Sequence, residues 1–320
     1  MDPLVFVLVA GAAVLHVTWN ILLKTAGDPL RAAGVGMATA AVALCPTALV
    51  AWLVVGRPAI PTETLVLSVV SGALEALYFS FLAAAYRRGD LSLVYPLARG
   101  TAPLLAVVIG VVLLQERLGP IGYVGVACLL VGLLALQRPW RYLRASGREG
   151  GGAAGFALLT GITIASYSAV DRVAVRGTEP WIYAGLIWAS CTAFLWAYIA
   201  FERRRVPARA GLAVAAAGAG AGGVATSGAA FGARSAASPA FDARRAGVGG
   251  LITLAAYLLI LVAFTVAPLT AVAPLRESAI VLASGWGAIR LREGADRRDV
   301  ARRLGSAALV VVGAVLLAID

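Results

Sequence analysis

The sequence is poor in charge and in the residues that perform most enzyme chemistry. Only 13% of its 320 residues are charged, whereas about a quarter are charged in an ordinary soluble domain. It has one histidine and three cysteines, and the cysteines lack metal-ligand spacing, so we expect neither zinc nor redox chemistry. The motifs HExxH and GxSxG are absent. Their absence disfavours one alternative function, that of a lipid-modifying enzyme embedded in a membrane. GxxxxGK[ST] is absent too, so no nucleotide or other cofactor is expected.

Hydrophobic residues are abundant instead. They make up 61% of the chain, and the mean hydropathy is +0.89. A helix that crosses a bilayer needs about 20 consecutive apolar residues. Ten such stretches occur, at 4–23, 32–55, 64–85, 92–114, 119–137, 152–170, 181–201, 247–266, 269–290 and 300–319. The sequence therefore predicts an all-α membrane protein with ten transmembrane helices.

The two halves of the chain repeat a pattern. The stretch DLSLVYPLARGTAP resembles PLTAVAPLRESAIV, which aligns Pro96 with Pro274 and Arg99 with Glu277. Each half holds five predicted spans, and an odd number forces the second copy to insert upside down. We therefore predict two inverted five-helix repeats, at 1–137 and 152–320, joined by a basic linker at 138–151. The substrate site of such a protein lies near the membrane midplane between its repeats.

These residues carry a resemblance to a known family. The pattern YPLARGTAPLLAVVIGVVLLQERLGPIGYVGVACLLVGLLAL resembles the closing helices of an EamA-type domain, and HVTWNILLK resembles its opening helix. Two such domains in tandem make the ten-helix branch of the drug/metabolite transporter superfamily. The resemblance implies transport of amino acids, related metabolites, sugars or cationic drugs. The sequence departs from the family at 202–246, where an Ala/Gly-rich loop is predicted to be inserted; the alternative is an eleventh helix at 210–233.

The basic residues are distributed unequally across the predicted membrane. Ten spans place 21 of the lysines and arginines on one side and 4 on the other. The positive-inside rule then puts the inserted loop in the cytoplasm and both termini outside. Ten-helix relatives usually have both termini in the cytosol, so the side of the termini stays open between these two arguments. Because the basic residues lie in short loops, the net charge of +11 does not predict nucleic-acid binding.

Ionisable and polar side chains inside the spans are the candidate site residues, because a charge within a membrane marks a functional pathway by default. Helical spacing places aromatic and amide side chains near them. The set predicted for substrate binding or coupling is His16, Trp19, Asn20, Glu75, Tyr78, Tyr95, Arg99, Tyr167, Arg276 and Glu277, with helix kinks at Pro96 and Pro274.

Roles are assigned to the charged members of this set. Arg99 is expected to contact an anionic group, with Glu277 or Glu75 as its counter-charge. Glu75 is also the candidate for proton coupling, because a low-dielectric environment disfavours the charged form of a carboxyl group. Structural interpretations stand beside these roles: Arg99 and Glu277 can form a buried pair that only fixes helix register, and His16 can simply hydrogen-bond to a neighbouring helix.

The functional prediction is a secondary active transporter and not an enzyme. The mixed charges favour a small zwitterion or anion, with an amino acid as the leading substrate, exported across the cytoplasmic membrane by alternating access. The alternative is efflux of lipophilic cations, for which aromatic side chains and a lone acid without nearby arginine are expected. The expected partners are the substrate, membrane lipid and protons. Glycines on the fifth and tenth spans predict close helix packing, with a homodimer surface as one outcome.

Overall fold

The computed structural model describes residues 2–88, 91–138, 140, 151–219, 241–277 and 297–320. Within these ranges all regular structure is helical and no strand occurs. One short 3-10 turn, Val175–Gly177, follows the sixth helix. The described α-helices are α1 (Pro3–Thr25), α2 (Pro29–Val54), α3 (Thr62–Tyr86), α4 (Leu91–Val112), α5 (Pro120–Gln137), α6 (Gly151–Ala174), α7 (Pro180–Ala219), α8 (Ala243–Val266), α9 (Leu269–Glu277) and α10 (Arg297–Ile319).

The helices have the length and surface of membrane-spanning segments. Five of them, α2, α3, α6, α7 and α8, contain apolar stretches long enough to cross a bilayer, and α1, α4, α5 and α10 contain shorter ones. Large apolar side chains such as Val7, Val42 and Val54 are more than two-thirds exposed. Such side chains would be unfavourable in water and are favourable against lipid. The chain is therefore an integral multi-pass membrane protein.

Two ends of the helical bundle can be distinguished. At one end, which we name the basic face, Asp242 donates its backbone N–H to Ala26, and Arg87 pairs with Glu202 at 3.2 Å. The helices that begin there have side-chain caps: Asp28 accepts hydrogen bonds from the first turn of α2, and Asp242 accepts one from the first turn of α8. These caps satisfy backbone donors that a helix leaves unpaired at its start.

The other end, which we name the opposite face, is closed by different contacts. Gly119, which precedes α5, donates its N–H to the Asp320 carboxylate at 2.9 Å. Glu116 contacts Arg172 at the end of α6 and the first residues of α9. These contacts at the opposite face therefore hold the first half of the chain against the second half.

The main helix packing also joins the two halves. The contacting pairs are α1 with α8, α2 with α7 and α8, α3 with α6 and α7, α4 with α6 and α9, and α5 with α10. Each half thus buries its apolar helix faces against the other half rather than within itself. As a result, the space enclosed at the centre is lined by residues from both halves.

The segment after the seventh predicted span differs from expectation. The inserted loop was predicted to begin at 202, but α7 continues without interruption to Ala219. The described part of this segment, 202–219, is helical; alanine, the strongest helix former, is frequent there from Ala208 onward and extends a helix that has already started. Residues 220–240 lie outside the described residues, as do 141–150 of the predicted linker and 278–296, which include the end of the predicted ninth span.

The glycines of α5 and α10 pack against each other within the chain. A Cβ atom on Gly125 would lie 2.9 Å from the carbonyl oxygen of Gly313, and one on Gly132 would lie 2.9 Å from that of Ser306. Gly305 has no atom within 4 Å of its Cβ position. The glycines therefore allow α5 and α10 to pack closely against each other, because small residues let membrane helices approach.

Substitution of Gly125 by alanine is expected to destabilise the protein. The added methyl group would force α5 and α10 apart, and overpacking of this kind costs about 1–3 kcal/mol. Thermal unfolding in detergent measures the change. Gly305→Ala is the matched control and is expected to leave the unfolding temperature unchanged or raise it, because alanine favours a helix more than glycine does. Equal unfolding temperatures for the two variants would contradict this account of the packing.

Candidate functional site

A central cavity lies between helices from both halves of the chain. Its volume is about 40 Å³, enough for only a few water molecules, since one water occupies roughly 10–15 Å³ on this measure. Seven helices contribute to its wall: α1, α2, α3, α6, α7, α8 and α9. The lining residues are Ala12, His16, Trp19, Met37, Glu75, Tyr78, Phe79, Tyr167, Trp188, Thr253, Ala256, Tyr257, Ile260 and Arg276.

The structure brings together six of the residues predicted from sequence. They come from α1, α3, α6 and α9, and all of them line the central cavity: His16, Trp19, Glu75, Tyr78, Tyr167 and Arg276. Arg99 is buried on α4 and interacts electrostatically with His16 and Tyr167, although it does not line the cavity.

The remaining predicted residues are less completely described. Pro274 is buried within α9, and Pro96 lies within α4. The side chains of Asn20, Tyr95, Pro96 and Glu277 lie outside the described residues. The predicted pairing of Arg99 with Glu277 therefore stays a prediction.

Aromatic rings form a connected series along the cavity. Neighbouring centroids lie between 4.8 and 6.3 Å apart, and most pairs meet edge to face. This spacing is the favourable one for aromatic pairs, and the ring faces attract cations. In order of contact, the series is His16, Trp19, Phe79, Tyr78, Tyr167, Tyr257 and Trp188.

His16 is held by its neighbour on α1. The indole N–H of Trp19 donates to Nδ1 of His16 at 3.0 Å. Nδ1 is therefore an acceptor, and the imidazole proton of neutral His16 lies on Nε2. The sequence left open a hydrogen bond between His16 and a neighbouring helix. At Nδ1 the structure has a hydrogen bond within α1 instead.

A second buried acid lies beside the cavity. Asp171, near the end of α6, has an exposed fraction of 0%. Its carboxylate accepts hydrogen bonds from the hydroxyl groups of Ser71 at 2.5 Å, Tyr183 at 2.9 Å and Tyr257. Glu75 and Tyr257 both line the central cavity.

Sequence reasoning missed several members of this cluster. Tyr257 and Trp188 occur singly in apolar runs, where an aromatic residue is normal packing, so no local signal set them apart. Asp171 did have a signal, because it continues the helical stripe Thr160, Thr163 and Tyr167 on one face of α6. That stripe faces the interior of the described bundle: all four side chains are buried.

The cavity region contains charges of both signs. Glu75 and Asp171 contribute carboxyl groups, while Arg99 and Arg276 contribute guanidinium groups, and each of the four side chains is at most 8% exposed. Arg276 interacts electrostatically with both carboxyl groups. Since burial of an isolated charge is costly, such groups require partners of opposite sign, from the protein or from a ligand.

Among the described residues, helices contact one another on both sides of the cavity. Toward the basic face, a second cavity of about 20 Å³ shares Trp19 and Phe79 with the central one and is bounded by Gly36 and Gly250. Toward the opposite face, Glu116 pairs with Arg172, and Arg172 Nη1 donates to the carbonyl of Phe264 at 2.8 Å. These contacts between described residues narrow the approach to the centre from each face.

Comparisons with known proteins give a family match for part of the chain and a similar fold for nearly all of it. The sequence model of the EamA-like transporter family matches residues 3–137. No curated protein matches the sequence. Twenty-nine chains of solved structures match, among them a protein crystal structure that is 17% identical in sequence, with a TM-score of 0.63 over 98% of this chain and 97% of the other. At that identity the likeness concerns the fold alone.

Proposed function

We propose that this protein is a secondary active transporter of a small zwitterionic metabolite, within the drug/metabolite transporter superfamily. The match of residues 3–137 to the model of the EamA-like transporter family supports this proposal. An amino acid is the leading substrate class. Transport proceeds by alternating access across the cytoplasmic membrane, in the direction of export. The observation that carries the proposal is that a carboxyl group, Glu75, and a guanidinium group, Arg276, line the same buried cavity.

Ten membrane-spanning helices arranged as two inverted five-helix repeats are part of this proposal. A two-fold axis between the repeats would exchange α1 with α6, α2 with α7 and α3 with α8. It would therefore relate the contact of α3 with α6 to the contact of α8 with α1. In the same way it would relate the contact of α3 with α7 to the contact of α8 with α2. All four of these pairs are in contact, as are the self-related pairs α2 with α7, α4 with α9 and α5 with α10. This correspondence supports the proposed repeat, whose seam would contain the cavity.

The arrangement of groups suits a zwitterion. Its ammonium group would lie against Glu75 and the faces of Trp188 and Tyr257, because carboxylates and aromatic rings both attract cations. Its carboxylate would lie toward Arg276, with Arg99 as a more distant cation. Each end of one small molecule would then lie against a group of opposite charge.

The size of the cavity also bears on the mechanism. At about 40 Å³ it does not hold an amino acid as it stands, since ligand sites are typically several hundred Å³. Substrate entry therefore needs separation of helices at one face while the other stays closed. The contacts between described helices on both sides of the cavity support our assignment of this arrangement to an occluded state of an alternating-access cycle.

The alternative transport function is efflux of lipophilic cations. The series of aromatic rings and Glu75 favour it, because these groups bind delocalised cations. The position of Arg276 in the cavity wall disfavours it, since a buried guanidinium group repels a cation that has no anionic end.

Counterflow in proteoliposomes distinguishes these functions. We expect purified protein to exchange radiolabelled alanine, serine, threonine or leucine and not tetraphenylphosphonium. Arg276→Gln is expected to lower this exchange by at least about tenfold, because a hydrogen bond to a charged group contributes about 1.5–3 kcal/mol. Arg57→Gln, which changes an exposed arginine, is the control and is expected to exchange at the wild-type rate.

Two results would contradict the proposal. Exchange of tetraphenylphosphonium that rises in Arg276→Gln would favour cation efflux instead. Wild-type rates of amino acid exchange in Arg276→Gln would show that the guanidinium group does not bind the substrate. The reason to expect a zwitterionic substrate would then be lost.

A further inference from the structure

A groove at the basic face shares no residue with the central cavity. Its volume is about 660 Å³, and its wall comes from α3 of the first half and from α6 and α7 of the second, with one residue of α2. Leu77 and Phe201 in this wall are 45% and 50% exposed. The groove is therefore open to the surroundings of the helical bundle.

The groove follows α3 from the basic face toward the middle of the bundle. Its wall includes Arg87 and Arg88 at the end of α3 and Leu77 ten residues earlier. Ten helical residues span about 15 Å, which is half of the roughly 30 Å thickness of a bilayer core. Ser80 lies between these ends, but its hydroxyl group donates to the carbonyl of Ala76 at 2.7 Å. The groove thus has a charged end and an apolar length that matches one leaflet.

Arg88 is held at the charged end by two neighbours. Its guanidinium carbon lies 4.6 Å from the centroid of the Phe156 ring on α6, and its Nη1 donates to the carbonyl of Ala84 at 2.9 Å. Among the described residues, no acidic side chain forms an ion pair with Arg88. A guanidinium group has five N–H donors and binds phosphate oxygens in pairs. This fixed position therefore suits a phosphate group.

The acid in the groove wall is neutralised by its own neighbours. Glu202 pairs with Arg87 at 3.2 Å and accepts a hydrogen bond from the hydroxyl group of Tyr198 at 3.2 Å. The next two residues of α7, Arg203 and Arg204, are exposed at the same face. The described residues at this end therefore carry a positive charge in excess of their acids.

We propose that this groove binds a phospholipid with an anionic head group. The phosphate accepts hydrogen bonds from Arg88, and an acyl chain follows α3 past Phe81 to Leu77. Charge complementarity favours an anionic head group, because basic pockets between membrane helices attract such lipids and a head group that carries a cation is repelled by the excess arginines. Since the wall belongs to both halves of the chain, the bound lipid holds them together at the basic face.

Native mass spectrometry of the delipidated protein in detergent tests this site. Phosphatidylglycerol and phosphatidylcholine with the same acyl chains differ in the charge of the head group, and we expect the wild type to bind phosphatidylglycerol more tightly. Arg88→Gln is expected to lower the affinity for phosphatidylglycerol at least about tenfold, because it removes hydrogen bonds to a charged group. Equal affinity of the wild type for the two lipids would overturn the proposal.

Two arginine variants separate a specific site from general attraction. Arg244→Gln removes the same charge from the same face but lies on α8, outside the groove, and is expected to bind phosphatidylglycerol as the wild type does. Arg88→Lys keeps the charge but not the planar fork, so its affinity should be intermediate. If Arg88→Gln and Arg244→Gln lower the affinity equally, the lipid responds only to the net charge of the face and the groove is not its site.

A change without charge tests the position of the acyl chain. Ala84→Leu adds bulk to the groove wall and is expected to lower the affinity for phosphatidylglycerol about fivefold or more, because overpacking has a cost of that order. Ala200→Leu adds the same bulk at an exposed position of α7 outside the groove and should bind as the wild type does. Wild-type affinity in Ala84→Leu would show that no chain occupies the groove, and the proposal would fail.

Thermal unfolding provides a second measurement that needs no substrate. Phosphatidylglycerol should raise the unfolding temperature of the wild type and of Arg244→Gln more than that of Arg88→Gln, because a ligand stabilises the state that binds it. The unfolding temperature of each variant without lipid shows that it is folded. Since neither measurement involves transport, the lipid site is tested separately from the proposed function, and either can fail while the other stands.

Discussion

Replacement of Glu116 by alanine is expected to cause the largest loss of stability of any single substitution considered. Its carboxylate accepts the backbone N–H groups of Leu269 at 2.8 Å and Thr270 at 2.9 Å, and it pairs with Arg172 at 3.3 Å. All of these groups are largely buried. Removal of one partner from a buried ion pair costs about 3–5 kcal/mol. Thermal unfolding of the detergent-solubilised protein measures this loss.

Two further variants test the cause. Glu116→Gln keeps one carbonyl acceptor but loses the charge, and is expected to fall between wild type and alanine. Glu179→Ala removes an exposed acid from the same face and should unfold at the wild-type temperature. If the alanine variants of Glu116 and Glu179 unfold at the same temperature, the Glu116 contacts do not stabilise the opposite face.

Substitution of Gly250 by alanine is expected to open the basic face. A Cβ atom there would collide with the backbone of Gly36 on α2, which α8 approaches closely. Overpacking costs about 1–3 kcal/mol, and that range changes a conformational equilibrium by about 5- to 150-fold. We therefore expect faster labelling of Thr253→Cys by a water-soluble maleimide, in a background without the three native cysteines.

Gly249→Ala provides the matched control for this experiment. Its Cβ would lie 3.5 Å from Leu22, an ordinary contact distance, so labelling should proceed at the rate of the unsubstituted background. Equal labelling rates for the Gly249 and Gly250 variants would show that the approach of α2 and α8 does not close the cavity. Slower labelling in Gly250→Ala would show that the substitution closes a different route.

The positions of many helices could be read from hydropathy. The predicted span 64–85 lies within α3, Thr62–Tyr86, and the predicted span 4–23 lies within α1, Pro3–Thr25. This works because the thickness of the bilayer sets the length of an apolar run, independently of the rest of the chain. The end of α7 could not be read in this way, since Ala-rich sequence inserts weakly in lipid but forms helix readily.

The candidate site was predictable only in part. Glu75 and Arg276 were found because an ionisable residue in an apolar run is conspicuous, whatever its neighbours. Asp171 was not among the predicted site residues, because it directly follows the predicted span 152–170 and the sequence does not show how deeply such a residue is buried. Tyr257 gave no signal in the sequence, since it contacts Asp171 on α6, which is far away along the chain.

By itself, the sequence determined that the chain enters a membrane, which segments are apolar enough to do so, and which ionisable residues enter with them. Only the tertiary structure decided which face of each helix is turned inward. In water, an amphipathic pattern identifies the buried face of a helix. Here lipid and protein interior are both apolar, so that pattern is weak, and helix rotation is set by contacts such as Gly36 with Gly250 and Tyr257 with Asp171.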